Sequence, residues 1–288
     1  MTTSLDTGFE QHRPVLLGIG YRMLGSFADA EDVVQDAWIR WAGVDHETVE
    51  NPRRLLVTIV SRLAIDRMRL AHRKRETYVG PWLPEPVRTD REELGPADTA
   101  QQRDTLSLAT LRLMERLSAP ERAVFVLREA FELPYEEIGE VLHLTAANAR
   151  QLHRRAGARL TADRERFAAD PGSHRELVDR FVEAARTGDR DALQELFAQD
   201  VTLWTDGGGR SRAALRPVRD ADRVARFLTG VLAKYDEIDL TVIEVNGLAA
   251  MVLILGEYRQ VISLETADGL VTGVQMVSNP DKIRRALR

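Results

Sequence analysis

Cysteine is absent from this chain of 288 residues. Without a thiol there can be no disulfide framework, no thiolate metal site and no cysteine nucleophile. Histidine is sparse as well. His12, His46, His72, His143, His153 and His174 are scattered, and none recurs at a ligand spacing such as HExxH. No metal and no cofactor is therefore expected. No apolar run approaches the roughly 18 residues of a membrane span. The opening MTTSLDTGFEQHR is polar with no apolar stretch behind it, unlike a signal peptide. A cytoplasmic location without membrane association is the expectation. A strong charge of one sign is also missing. The formal net charge is −5, so any contact with nucleic acid must come from local basic clusters. There is no internal repeat and no low-complexity tract. What remains, 44% hydrophobic and 30% charged residues, is the make-up of a globular chain long enough for about two domains.

The first 75 or so residues read as helices. Phe9, Leu16, Ile19 and Met23 fall on one helical stripe. Gly25-Ser26 ends that helix and opens the next, with the Ser26-to-Asp29 spacing of a capping box and an apolar set of Val33, Val34, Ala37, Trp38 and Trp41. Residues 42–50 are a polar loop. Asn51 as N-cap and Pro52 at the first helical position start a third helix, NPRRLLVTIVSRLAIDRMRLAHRKR, with Leu55, Leu56, Ile59, Leu63 and Met68 as its core stripe. Pro81, Pro84, Pro86 and Pro96 then forbid a continuous helix, so residues 76–103 read as linker. Within it, WLPEP carries a Trp82 and a Leu83 too apolar for a solvated strand of chain, and these are expected to dock. Helices resume over 104–169, with starts at Ser118 and Pro134. After the Asp170-Pro171-Gly172 break comes one amphipathic helix. Strand-like, β-branched segments (VTLWT, LTVIEV, AAMVLILGEYRQVISLET, LVTGVQMVS) follow it.

Three segments carry candidate chemistry. Residues 51–75 hold Arg53, Arg54, Arg62, Arg67, Arg69, Arg73, Lys74 and Arg75 against the single acid Asp66. Such a patch suits phosphate neutralisation, and it equally suits a solvated face or a helix C-terminus. PYEEIGEVLHLTAANARQLHRRAGARL has helix-turn-helix form: Ile138, Val141 and Leu142 pack the first helix, His143-Leu144 turns, Thr145 caps the second, and Ala149, Leu152 and Ala156 face inward. That leaves Asn148, Arg150, Gln151, Arg154 and Arg155 outward, side chains able to meet base edges and phosphates. The turn has His143 where glycine is common. Finally, DAEDVVQDAW has four acids and no base, which the dipole of a helix start explains by itself.

In this order, DAEDVVQDAWIR, NPRRLLVTIVSRLAIDRMR and LSAPERAVFVLREAFELPYEEIGEVLHLTAANARQLHRRA resemble regions 2 and 4 of extracytoplasmic-function RNA polymerase sigma factors, over about residues 8–165. WLPEP (82–86), DGGGR (206–210) and NPDKI (279–283) resemble the subgroup with a fused C-terminal SnoaL-like domain. The resemblance implies a multidomain fold: an all-α region 2 at 1–76, a linker at 77–103, an all-α helix-turn-helix region 4 at 104–170, and at 174–288 an α+β cone with a curved mixed sheet. It implies an alternative sigma factor that binds core RNA polymerase, at the β′ clamp and β flap, and directs transcription initiation at particular promoters. Matched residues imply core-polymerase contacts at Asp29, Glu31, Asp32, Gln35 and Asp36. They imply minus-ten contacts at residues 43–50 and at Arg62, Arg67, Arg69 and Arg73. Minus-thirty-five contacts fall on Thr145, Asn148, Arg150, Gln151, His153 and Arg154.

In that subgroup the extra domain regulates the sigma core in cis, in place of a separate anti-sigma protein. The residues implied are Trp82, Leu83, Pro84, Asp206, Gly207, Gly208, Gly209, Arg210, Asn279, Pro280, Asp281 and Lys282, with the C-terminal domain packed on the sigma core through them. Arg210 stands where the subgroup often has lysine. The glycine triplet after Asp206 is read either as a close approach to a partner or ligand or as a tight hairpin turn. Beyond His174 the domain has no histidine, and catalysis is not expected. A small ligand inside the domain is admitted by the fold. Two other readings are a helix-turn-helix regulator that binds duplex DNA alone, and a ligand-binding or enzymatic C-terminal domain with a deep pocket near Trp204 and Asp206.

Overall fold

A computed structural model describes residues 8–90, 94, 99–164, 170–235 and 237–287, and for 72–74, 100 and 161–164 it describes the backbone alone. The chain forms two compact units. One comprises Met1–Glu76 with Glu92–Thr161, the other Thr77–Arg91 with Ala162–Arg288.

The first unit is helical: α1 (Arg13–Leu24), α2 (Phe27–Ala42), α3 (Pro52–Arg75), α4 (Ala100–Leu106), α5 (Leu108–Met114), α6 (Ala119–Glu129), α7 (Tyr135–Leu142) and α8 (Ala146–Arg164). Local chemistry writes the boundaries. Gly25 at φ 67° stops α1, and the Ser26 hydroxyl accepts the Asp29 N–H at 3.2 Å to open α2. Asn51 accepts the Arg54 N–H at 3.0 Å, with Pro52 at the first position of α3. Glu121 reaches back to accept the Ser118 N–H at 3.0 Å and its hydroxyl at 2.7 Å.

Phe9, Leu16, Ile19 and Met23 are fully buried, as their spacing requires. Two other stripes are corrected. On α3 the buried apolar residues are Leu56, Val57, Val60 and Ala64, while Leu55, Ile59, Leu63 and Met68 are half-buried. Helices α1, α2, α6 and α7 all pack on α3, so its neighbours decide which of several apolar faces is covered. On α2, Trp38 is 41% exposed and Ile39 59%, although Trp38 shares the sequence spacing of its buried neighbours.

Two arginines lie inside this unit. Arg22 donates to Thr105 Oγ1 (3.1 Å), Leu94 O (3.0 Å) and Gln102 O (3.3 Å), and burial pulls its pKa down to about 10. Arg122 donates to Arg22 O at 3.0 Å and pairs with Glu115; burial lowers it to about 9. A buried guanidinium is tolerable only when hydrogen-bonded. Here the two tie α1 to the start of α4 and to α6, so the helices before and after the linker share one core.

The second unit contains α9 (Pro171–Thr187), α10 (Arg190–Leu196), β1 (Phe197–Asp206), β2 (Val218–Arg219), α11 (Ala221–Leu232), β3 (Asp239–Val245), β4 (Leu248–Leu255), β5 (Tyr258–Ala267), β6 (Leu270–Val277) and α12 (Pro280–Ile283). The sequence pattern provides for one helix ahead of the strands; α10 and α11 are additional. The start of α11 is legible in retrospect: Asp220 accepts the Asp222 N–H at 3.1 Å, and Val224, Ala225, Leu228 and Leu232 recur at helical spacing. The six strands lie in the order β2-β1-β6-β5-β4-β3, with β1 and β6 parallel and the other pairs antiparallel. Register irregularities at Phe197/Thr202 and Glu265/Thr266 bend the sheet. Turns at Asn246-Gly247 and Asp268-Gly269 have positive φ at both residues, as tight hairpins need. Phe181, Leu193, Leu203, Val224, Met251, Ile262 and Val274 fill the core between sheet and helices.

Candidate functional site

The three short motifs of the second unit converge on one carboxylate. Asp206, at the end of β1, is 0% exposed. Its Oδ1 accepts the Tyr78 hydroxyl at 2.6 Å, and its Oδ2 accepts the Leu83 N–H at 2.9 Å and Lys282 Nζ at 2.7 Å. Lys282 also donates to Leu83 O at 2.6 Å and sits 4.2 Å from the centre of the Trp82 ring. Asn279 Nδ2 donates to the Tyr78 oxygen at 2.9 Å, and the backbone carbonyl of Asp206 accepts the N–H groups of Ser278 (2.8 Å) and Asn279 (3.0 Å). Burial first, then the bond to Asp206, pushes the Tyr78 phenol well above its ordinary range.

The glycine triplet makes this approach possible. Gly208 has φ 57°, and a Cβ there would run into Asn279 Nδ2 and crowd the Tyr78 hydroxyl. Of the two readings of the triplet, close approach of another segment is the one the geometry carries. Arg210 and Asp281 form an outer pair at 2.6 Å, largely in solvent, which is worth little on its own. Leu83, Pro84, Glu85 and Pro86 are buried. Further along, Val87 and Asn246 exchange two bonds: the Val87 N–H donates to Asn246 Oδ1 at 3.0 Å, and the Asn246 N–H to Val87 O at 2.9 Å. Thr89 donates to Glu244 at 2.6 Å. Residues 78–89 are thus fastened to the second unit along their length, and the motifs meet within that unit. Tyr78, Val87, Thr89 and Asn246 are absent from the residues picked out by sequence; for Asn246 alone, the following glycine is a hairpin-turn signal that could have marked the position.

In the helical unit, the candidate DNA and polymerase residues are partly occupied by one another. Arg67 donates to Asp29 Oδ1 at 2.9 Å and Asp32 Oδ2 at 2.6 Å. Arg62 donates from Nε to Val141 O at 2.9 Å and from Nη2 to Glu140 O at 3.4 Å, and Arg54 pairs with Glu140. These carbonyls end α7, where His143 takes the left-handed conformation (φ 56°) in place of a glycine. A helix C-terminus offers unpaired carbonyls and the negative end of its dipole, both of which suit a cation. Arg69 is exposed beside Asp66 at 3.4 Å, and the side chain of Arg73 lies outside the described residues. Glu31 is half-buried; Asp32, Gln35 and Asp36 are exposed, next to the exposed Trp38 and Ile39.

On α8, Asn148, Arg150, Gln151 and Arg154 all face solvent. Arg150 lies 5.0 Å from the Tyr135 ring and 3.5 Å from Glu136. Thr145 works as the cap, accepting the Asn148 N–H at 3.1 Å. His153 differs from the others: it is turned inward, with Nε2 on Glu129 at 2.9 Å, Nδ1 on the Tyr135 hydroxyl at 3.1 Å, and its ring stacked 5.9 Å from Phe125. It fixes α8 against α6 and α7 and is not presented as an outward contact.

Comparison with known proteins follows the same division. Models of sigma-70 region 2, sigma-70 region 4 and the SnoaL-like domain match residues 9–74, 107–160 and 178–277. The chain is 36% identical to ECF RNA polymerase sigma factor SigJ of Mycobacterium tuberculosis, over 95% of this chain and 91% of that protein. It is 32% identical to a probable ECF RNA polymerase sigma factor, SigI, of the same organism over 67% of each chain. The crystal structure of Mycobacterium tuberculosis SigJ superposes with a TM-score of 0.76 at 33% identity, covering 97% of this chain and 98% of that one.

Proposed function

The chain belongs to the extracytoplasmic-function RNA polymerase sigma factors, and from that premise we propose how its surfaces divide the work. The protein is an alternative sigma factor that carries a SnoaL-like domain. Its functional divisions are region 2 at 1–76, the linker at 77–103, region 4 at 104–170 and the regulatory domain at 174–288.

The exposed face of α2 docks on core polymerase. Asp29, Glu31, Asp32, Gln35 and Asp36 supply its polar part, and Trp38 and Ile39 add the apolar area that a specific interface buries. Minus-ten DNA is met by residues 43–50 and by Arg62, Arg67, Arg69 and Arg73. Minus-thirty-five DNA is met by Asn148, Arg150, Gln151 and Arg154, with Thr145 and His153 holding α8 in place. Because Arg62 and Arg67 have partners inside the free protein, phosphates must replace those partners when DNA binds. The site of action is where polymerase and chromosome are, the cytoplasm.

The C-terminal unit regulates the sigma core in cis, without a separate anti-sigma protein and without catalysis. One observation carries this: the linker between the two helical halves is held by the buried Asp206–Lys282 pair. A fastened linker limits how far regions 2 and 4 can separate along a promoter. The buried titratable groups of the unit support a non-catalytic reading, being engaged structurally. Asp206 holds the linker, Glu265 accepts Gln275 Nε2 at 2.6 Å, and His174 bonds Thr266 at 2.9 Å and Ala249 O at 2.9 Å.

The test is competitive co-elution with core polymerase and run-off transcription, using the full chain. Asp36→Arg together with Trp38→Ala should abolish co-elution. Asp206→Asn should leave co-elution intact and change transcript yield severalfold. The regulatory reading is overturned if Asp206→Asn frees the linker but leaves the yield unchanged.

A further inference from the structure

Between the sheet and α11 the second unit encloses a cavity of about 250 Å³. Phe227, Val231, Ala213, Ala214 and Met276 make its walls apolar. Tyr258 and Gln260 on β5 face it from the sheet, and Arg212 and Lys234 stand at its edge, both exposed. None of the described lining residues carries a carboxylate, and no ion pair joins Arg212 or Lys234 to another described residue.

Gln260 is 1% exposed. Its Oε1 lies 3.3 Å from the Tyr258 hydroxyl, whose one proton is shared with Arg212 O, and its Nε2 is buried with no partner among the described residues. Buried donors are nearly always satisfied, and one left unpaired in a native fold calls for an explanation. A hydrophobic residue of the same size would serve a purely structural core better. The loop opposite is pinned. Thr205 Oγ1 accepts the Ala214 N–H at 2.7 Å and the Tyr258 hydroxyl donates to Arg212 O at 3.0 Å. The cavity is thus preformed, with an unpaired buried donor and two cationic side chains among its lining residues.

We propose that this cavity binds a small organic anion. Its carboxylate pairs with Arg212 and Lys234 at the mouth, its compact apolar body lies against Phe227, Val231 and Met276, and an oxygen at its far end accepts from Gln260 Nε2. The volume, about eight waters at ~30 Å³ each, suits a single substituted ring. The proposal rests on the geometry of this unit and is independent of the regulatory reading.

The probe is 4-hydroxybenzoate, with benzoate (no far-end oxygen) and 4-hydroxybenzamide (no charge) as comparators. Binding to the full-length protein is followed by saturation-transfer NMR and calorimetry. The expected result is saturable binding of 4-hydroxybenzoate at about millimolar concentration or tighter, with each comparator roughly tenfold weaker. Gln260→Leu should remove the advantage over benzoate. Arg212→Ala with Lys234→Ala should remove the advantage over the amide, and Arg216→Ala should change nothing. Gln260→Leu should also raise the melting temperature of the unliganded protein by about 2–4 °C, because an orphan donor is removed at constant volume. The proposal is overturned if the probe does not bind, or if Gln260→Leu keeps the wild-type preference, and a melting temperature lowered by Gln260→Leu overturns the role given to the amide.

Discussion

Replacing Asp206 by asparagine changes one oxygen to nitrogen and tests whether this carboxylate is what holds the linker. In the wild type the buried carboxylate accepts Tyr78, Leu83 and Lys282 within 2.6 to 2.9 Å, and the Lys282 side chain is only 12% exposed. In Asp206→Asn the lysine keeps its burial but loses its counter-charge, and one amide hydrogen faces groups that are themselves donors. Removing one member of a buried ion pair costs about 3–5 kcal/mol. The loss is confined to the docked state of residues 78–89, since the residues bonding Asp206 lie in the linker and the 278–282 segment. Hydrogen exchange of a peptide containing the Leu83 amide reads it directly: at 1.4 kcal/mol per tenfold, exchange should speed up by about 10²-fold to several thousandfold. Amides of α1 and α3 should keep wild-type rates. Adding Lys282→Met should recover part of the loss, because the uncompensated charge is then gone, and a double-mutant cycle should give a coupling above about 1 kcal/mol. An acceleration under threefold, or strict additivity, refutes the reasoning, for the linker would then be held by its apolar contacts alone.

Three further predictions follow from named contacts. His174 is held below its ordinary pKa by burial, and its Nε2–H donates to Ala249 O while Nδ1 accepts from Thr266. Its contribution is fully present above about pH 6.5 and is lost as the pH falls, because the unfolded chain takes up the proton first; urea midpoints from pH 7 to 5 should fall more steeply for wild type than for His174→Gln. Gly208→Ala and Gly247→Ala impose the same left-handed strain (φ 57° and 78°), yet only at Gly208 does the new Cβ meet neighbours. The Gly247 variant should lose about 1 kcal/mol and the Gly208 variant at least twice that, read by thermal melting. Arg22→Met leaves the carbonyls of Leu94 and Gln102 without their buried donor, so the helical unit should lose about 3 kcal/mol in urea unfolding; a change under 1 kcal/mol would show that water takes the arginine's place.

The elements that local rules govern were legible in the chain itself. Ser26, Asn51 and Ser118 mark helix starts because a side-chain oxygen is needed there whatever the rest of the fold does. The helix-turn-helix with its outward Asn148, Arg150, Gln151 and Arg154 follows from spacing, since Ala149 and Ala156 have to face the core. The apolar Trp82 and Leu83 in a proline-rich linker announced docking. What they dock on required the fold. Asp206 and Lys282 are 76 positions apart, and only the parallel pairing of β1 with β6, followed by α12, places both against residue 83. Tertiary packing likewise decided that Trp38 is outside, that the buried stripe of α3 runs through Val57 and Val60, and that His153 points inward. Periodicity names the candidate faces of a helix, but the neighbours that cover one of them come from elsewhere in the chain. The same holds for charge: the sequence counted arginines, and only the structure could say that Arg22 is core, that Arg62 caps the end of α7, and that Arg212 lines a cavity.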